Sequence, residues 1–442
     1  MIGVIYKREI LDHLKSAKFL IGFGLTIAIT VAATVINVQD YGRRLQDYRA
    51  AQRDLPANKF EIQIFRPPEL LSILVQGKDR ALGTKASVNY LHIPDRLTGY
   101  MLSGSGAPRP RSISGFGSVD FAFLVRVVLS LLVIFLAFDA VAEEKQSGTL
   151  KLALANALPR SSLLIGKAAA GLTVVLGSLV AAAAVAVLIM MVHPMVDPSG
   201  ADAARILSLV AASALYLTVF YTLSLLVSTA VKRPAIALMV LLQLWIFLVV
   251  AYPNLGVSIA ENFYRLPTDR EMAEKKNAAF APYAEELKKV QAAYFGGDRA
   301  SGPGMRYLEL QSLRSRLEND VDREFSLRLS GQLGLARWIS VLSPAALFNR
   351  AAERYARTDI EEYDRFLASV ERYWKTKYMD LQLLFYKDLP AYRKAPTPPF
   401  DHPAERTAEA WIATAPQIVV LALLALIFFA AASTAFLRKD VR

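Results

Sequence analysis

Six stretches of this chain stay apolar for at least 18 residues, at 19–38, 121–142, 168–192, 206–231, 235–252 and 411–437. Each is long enough to cross a bilayer as a helix. The polar segments between them differ greatly in length: 39–120 and 253–410 are long, 143–167 is intermediate, and 193–205 and 232–234 are short. Residues 2–16 are amphipathic, with Tyr6, Ile10 and Leu14 on one helical face and Arg8, Asp12 and Lys15 opposite. The pattern predicts an all-α membrane protein of six spanning helices, a short interfacial helix over 1–18, and two large insertions.

The insertions read differently. The first opens with a charged helical stretch, DYGRRLQDYRAAQRDL. It continues through FEIQIFRPPELLSILVQG and ALGTKASVNYLHIP, where alternation and β-branched residues between Pro and Gly breaks predict short strands. It closes on the Gly-, Pro- and Ser-rich run GSGAPRPRSISGFGS, so a mixed α/β unit is expected. The second insertion reads as helical. Thr268–Glu271 and Thr358–Glu361 fit the capping-box spacing, and Ser343-Pro344 offers a helix start with proline at the first position. The break GGDRASGPG at 296–304 predicts a hairpin of 268–295 against 305–340, followed by helices near 345–357 and 359–388.

Composition fits this picture. The chain has 442 residues, 54% of them hydrophobic, and a mean hydropathy of +0.31. No cysteine is present, which excludes disulfides and thiolate metal sites. In a soluble domain a net charge of +12 would suggest nucleic acid. Here membrane topology accounts for it, and no nucleic-acid partner is expected. Lys145, Lys151, Arg160, Lys167, Lys232 and Arg233 lie in short loops, whereas 193–205 carries one arginine and two aspartates. The positive-inside rule therefore predicts that both termini are cytoplasmic and both insertions extracytoplasmic. The first span, flanked by Lys7, Arg8, Lys15 and Lys18, reads as a retained helix and not a cleaved leader.

The most distinctive polar stretch is EEKQSGTLKLALANALPRSSLLIGK, residues 143–167. Two adjacent carboxylates, a Gly-Thr break, a leucine-rich run and Pro-Arg precede Gly-Lys. The run leaves room for a surface helix held by Leu150, Leu152, Leu154 and Leu158. The set Glu143, Glu144, Gly148, Thr149, Leu150, Pro159, Arg160, Gly166 and Lys167 resembles the intracellular coupling segment of ABC-2-type transporter permeases. LLVSTAVKRP at 225–234 is similar to a cytoplasmic turn of the same family. Arg66-Pro67-Pro68 and SPAALFNRAAERYARTDIEEYDRFLASVE resemble its larger members, the multicopper-enzyme-maturation and gliding-motility permeases.

The resemblance implies a permease subunit of an ABC exporter in the bacterial inner membrane, dimerising as a homodimer or heterodimer. It implies that a separate ABC ATPase, which binds ATP and Mg, touches the nine matched residues. It leaves room for an extracytoplasmic protein partner. A mechanotransmitting complex, in which the ATPases move the external helical domain without transporting substrate, is the alternative. Asp139, at the cytoplasmic end of the second span, is expected in the coupling surface, and Arg126 is expected to snorkel near the outer end.

Catalytic chemistry is sparse. No GxxxxGK[ST] loop exists, since Gly166-Lys167 runs into Ala168, so neither enzyme activity nor a cofactor is expected of this chain. No HExxH is present, and the four histidines are scattered. Met190, Met191, His193 and Met195 supply thioether and imidazole groups that suit Cu(I). Methionines ending an apolar helix at a proline are more simply gap-fillers, and no metal site is expected there.

Overall fold

A computed structural model of the protein describes residues 2–53, 59–79, 85–89, 119–149, 159–295 and 302–438. Among these described residues the regular structure is helical apart from one two-stranded sheet. Six helices are long and apolar enough to span a membrane. They are α2 (Ala17–Arg53), α3 (Phe121–Ser147), α4 (Arg160–Val192), α5 (Gly200–Ala230), α6 (Pro234–Phe263) and, at the C-terminal end, α14 (Thr407–Arg438). The short helix α1 (Ile2–Lys15) precedes them, separated from α2 by Ser16 alone.

Their side chains form one apolar core running from Phe19 to Phe436, in which α3 is the most enclosed spanning helix and α5 the next. Polar groups inside it are satisfied locally. Thr26 and Thr30 donate to carbonyls four residues earlier at 2.8 and 2.7 Å, and Trp245 Nε1 donates to Ser130 Oγ at 2.8 Å. Lipid offers no partners to such groups, so this is the only economical arrangement. Three spanning helices are irregular. α3 contains a π-helical segment at Leu124–Leu129, α6 another at Ile246–Ala251, and α14 carries Pro416 in its interior.

The strands of the first insertion are β1 (Glu61–Phe65) and β2 (Lys85–Asn89), antiparallel with Glu61 opposite Asn89 and Phe65 opposite Lys85. Ile62, Ile64, Ala86 and Val88 are buried, as alternation dictates for a sheet covered on one face. The second insertion supplies the cover. Its elements are α7 (Asp269–Phe280), α8 (Ala284–Phe295), α9 (Gly302–Ile339), α10 (Pro344–Ala356), α11 (Ile360–Tyr373), α12 (Met379–Lys387) and α13 (Leu389–Lys394). Tyr363, Phe366, Leu367 and Val370 of α11 bury the sheet.

Several boundaries differ from the sequence reading. α2 does not stop at 38: it continues to Arg53, because Arg44 on its extension bonds Asp40, Asp79 and Ser72. α4 begins at Arg160, so Gly166 and Lys167 are helical and not part of a loop. α5 begins at Gly200 behind a Ser199–Asp202 capping box, which turns Arg205 from a loop residue into a buried helical one. α6 continues past 252 to Phe263. The Thr268–Glu271 box and the Ser343 cap form as expected. The Thr358–Glu361 box does not: Asp359 caps α11 instead, and Thr358 Oγ1 donates to the Glu353 carbonyl at 3.4 Å. The expected flexible run at 104–118, the leucine-rich stretch at 150–158 and most of the break at 296–304 lie outside the described residues.

Candidate functional site

The residues singled out in 143–167 gather where α3 ends and α4 begins. The α-helical part of α3 ends at Ala137; a turn follows, and Ala142–Ser147 forms a last helical piece. Ser228 Oγ of α5 accepts the backbone N–H groups of Val141 and Ala142 at 3.0 and 3.1 Å, which fixes the direction of that piece. Lys145 Nζ donates to the carbonyls of Ser228, Thr229 and Val231, the open C-terminal end of α5. A cation there is favoured by the helix dipole. Gly148 then closes the piece at φ 77°, a left-handed conformation that glycine adopts without steric cost. Ser147 Oγ and Thr149 Oγ1 lie 2.9 Å apart across it, and Glu143 and Thr149 are exposed.

Lys167 is the centre of this region. It is 5% exposed, and its amine meets Glu9 of α1 at 2.8 Å and Glu144 of α3 at 2.9 Å. One buried cation therefore ties three helices. Its carbonyl accepts from the buried Tyr221 hydroxyl of α5 at 3.1 Å. The preceding residue, Gly166, lets α1 approach: a Cβ at that position would fall 2.9 Å from Ile5 Cγ2 and 3.2 Å from Ile5 Cβ. Tyr6 of α1 adds a hydrogen bond to Thr173 Oγ1 at 3.1 Å. Lys18 at the start of α2 pairs with Asp139 of α3 and lies over the Phe138 ring. His13 sits nearby, and burial pulls its pKa below the ordinary histidine value against the pull of Glu9 and Asp139.

The sequence-selected residues thus divide. Glu144, Gly148, Gly166 and Lys167 take part in one constellation, Glu143 and Thr149 face outward beside it, and Pro159 caps α4. Leu150 and the Arg160 side chain lie outside the described residues. Glu9 and Ser228 were not singled out, and Lys145 only as a topology charge, because nothing local in the sequence marks a residue whose partner lies more than 80 positions away.

At the opposite end of the bundle the two insertions meet it through buried charge. Arg205, 2% exposed, donates to the Glu405 carbonyl at 2.8 Å and faces its carboxylate at 3.4 Å. Glu405 also receives Arg354 and Arg365, each at 2.5 Å. Glu362 is met by Arg365, by Arg357 at 3.3 Å and by His402 at 3.1 Å. Burial pushes the Glu362 carboxyl up, but the His402 hydrogen bond and the charges of Arg357 and Arg365 outweigh it and hold the pKa at about 2. Arg357 reaches Glu69 of the first insertion at 3.2 Å.

The methionine–histidine cluster comes together only in part. Met190 is fully buried whereas the next residue, Met191, is 58% exposed. His193 and Met195 lie over Gly42 of α2, with Gln46 Nε2 3.9 Å from the Met195 sulfur. Among the described residues no group of three or more His, Asp or Glu could hold a metal ion.

A family model described as ABC-2 family transporter protein matches residues 4–441. No curated protein matches the chain.

Proposed function

Because the chain belongs to the ABC-2 family of transporter proteins, we propose that it is the membrane-spanning permease subunit of an ABC exporter. Two copies, identical or not, form the translocation unit in the bacterial inner membrane, with both termini in the cytoplasm. Separate ATPase subunits, which bind ATP and Mg, dock on residues 143–160 and the neighbouring face of α1. The observation that carries this reading is the Glu9–Lys167–Glu144 clamp. A push on the exposed Glu143–Thr149 turn reaches α1, α3 and α4 together and, through Lys145 and Ser228, reaches α5. Rigid-body rocking of packed helices needs such a shared grip. Bare loops would yield locally and transmit little.

The test is reconstitution of the chain with its ATPase in vesicles. ATP-dependent movement of cargo is expected, together with loss of ATPase co-purification in the double variant Glu144→Lys/Gly148→Val. A variant complex that assembles, hydrolyses ATP and transports normally would remove residues 143–160 as the coupling element.

A second reading is favoured by the charge network around Arg205, Glu362 and Glu405. It couples the second insertion to α5 and α14 firmly enough that bundle motion would move that domain. In that case the complex transmits force to an extracytoplasmic partner protein without moving cargo. ATP-dependent accumulation of cargo in vesicles separates the two.

A further inference from the structure

The irregular parts of three spanning helices converge on one cavity of about 450 Å³, within the ~300–1,000 Å³ range of ligand pockets. It lies at the end of the bundle away from Lys167, between α3, α6, α14 and the helices α9 and α10. Arg126 enters the wall from the π segment of α3, Val249 from that of α6, and Gln417 follows Pro416 in α14. Single π turns within long helices frequently mark functional sites. In a membrane, distorted backbone persists where it lines a cavity or is buried in protein. Three distortions at one level therefore point to a purpose for this space.

The wall is two-sided. Trp245 and Val249 give it an apolar flank. Elsewhere five basic side chains face three carboxylates, and each carboxylate already has a cation. Glu353 faces Lys78 at 3.7 Å, Asp359 meets Arg354 at 2.9 Å, and Glu361 pairs with Arg337. Arg350 has no carboxylate partner among the described residues. It donates to the Arg337 carbonyl at 3.2 Å. Burial, and then the charge of Arg337, depress its pKa below the ordinary arginine value against the pull of the more distant Glu353 and Glu361.

We infer that this cavity binds a single-chain anionic amphipath, its phosphate, sulfate or carboxylate head on Arg350 and its apolar body along Trp245 and Val249. Arg126 adds positive charge from the spanning helix. The inference rests on the permease reading, of which it names the cargo class. Guanidinium suits such a head because it offers paired donors in a fixed plane. The exposed rim residues Asn254 and Ala413 lie on α6 and α14, which gives a ligand dissolved in the bilayer a route of approach.

The test uses the full-length chain in phosphatidylcholine nanodiscs, without ATPase, and radiolabelled lysophosphatidic acid. Saturable binding is expected, with lysophosphatidylcholine and inorganic phosphate competing poorly. Arg350→Gln should weaken binding roughly ten- to hundredfold, the loss of one charge-assisted contact, and Arg350→Lys should restore most of it. Ala346→Leu, which fills the cavity and leaves every charge in place, should also abolish binding. Equal competition by lysophosphatidylcholine, or unchanged binding in Arg350→Gln and Ala346→Leu, would overturn the inference. Displacement by two-chain phosphatidylglycerol at lower concentration would make the occupant a resident bilayer lipid and overturn it equally. Binding without ATP-driven movement in the reconstituted complex would leave this site standing and sink the permease reading.

Discussion

Replacing Lys167 by glutamine should release α1 from the bundle. The amine is buried between Glu9 and Glu144, whose side chains are 20% and 27% exposed. Removing one partner of a fully buried ion pair costs about 3–5 kcal/mol, because charge is left without compensation. Both carboxylates keep some contact with water, so the cost here should fall to about 1–3 kcal/mol. That corresponds to roughly a 5- to 150-fold change in the ratio of docked to released α1. The cysteine-free sequence provides the assay. Cysteines at Ile5 and Gly166 would place their β-carbons about as close as a disulfide requires, given the 3.2 Å measured to a Cβ built on Gly166. Oxidation should cross-link them readily in the parent and much more slowly with Lys167→Gln. The triple change Glu9→Gln/Glu144→Gln/Lys167→Met should restore cross-linking, since removing all three charges leaves nothing uncompensated. Undiminished cross-linking in Lys167→Gln would mean that apolar contacts such as those of Ile10 hold α1, and the clamp would lose its role.

Glu362 predicts a pH dependence. Its pKa lies at about 2 in the folded protein against an ordinary 4.5, so its stabilisation is complete above pH 4.5 and disappears as pH falls toward 2. The difference is worth about 3 kcal/mol; thermal unfolding of the parent should drop steeply over that window, and Glu362→Gln should lose most of that slope. Arg205→Met should destabilise by about 1–3 kcal/mol, since Glu405 keeps Arg354 and Arg365 but its buried carbonyl loses a charged donor, read as a fall in melting temperature, and a melting temperature equal to the parent's would contradict the network. For topology, single cysteines at the exposed Gln146 and Lys232 should be shielded from impermeant reagents in intact cells, and one at Asp197 should be labelled; labelling at Gln146 from outside would reverse the orientation.

The spanning helices were legible because apolar runs of bilayer length leave few alternatives to a helix. The small sheet was legible too, since Ile62 and Ile64 alternate with polar neighbours. What could not be read is where the ends of these elements find partners. The charged stretch after residue 38 reads as helical but not as one helix with the span; Asp79 and Ser72, by meeting Arg44, hold the continuation in place. Asp359 displaces Thr358 as the cap of α11 because its carboxylate can accept from the Glu362 N–H at 3.0 Å and from Arg354 at 2.9 Å at once. Lys167 looked like a loop lysine near the membrane surface. Its importance lies in Glu9, which is 158 residues away. The motif located the site; burial and pairing decided which of its members hold it together.

The length of α2 has a mechanical consequence. Its 37 residues amount to about 56 Å of rigid rod, against a hydrocarbon layer of about 30 Å. Its N-terminal end is pinned through Lys18 to Asp139, and its far end through Arg44 to the first insertion. A rod gripped at its base and carrying the first insertion at its other end acts as a lever. A tilt of about 5° imposed at the α1 end would displace the far end by about 5 Å, close to one helical turn. A sub-ångström adjustment at the base, too small to open anything by itself, would thus arrive at the other face of the bilayer several times enlarged.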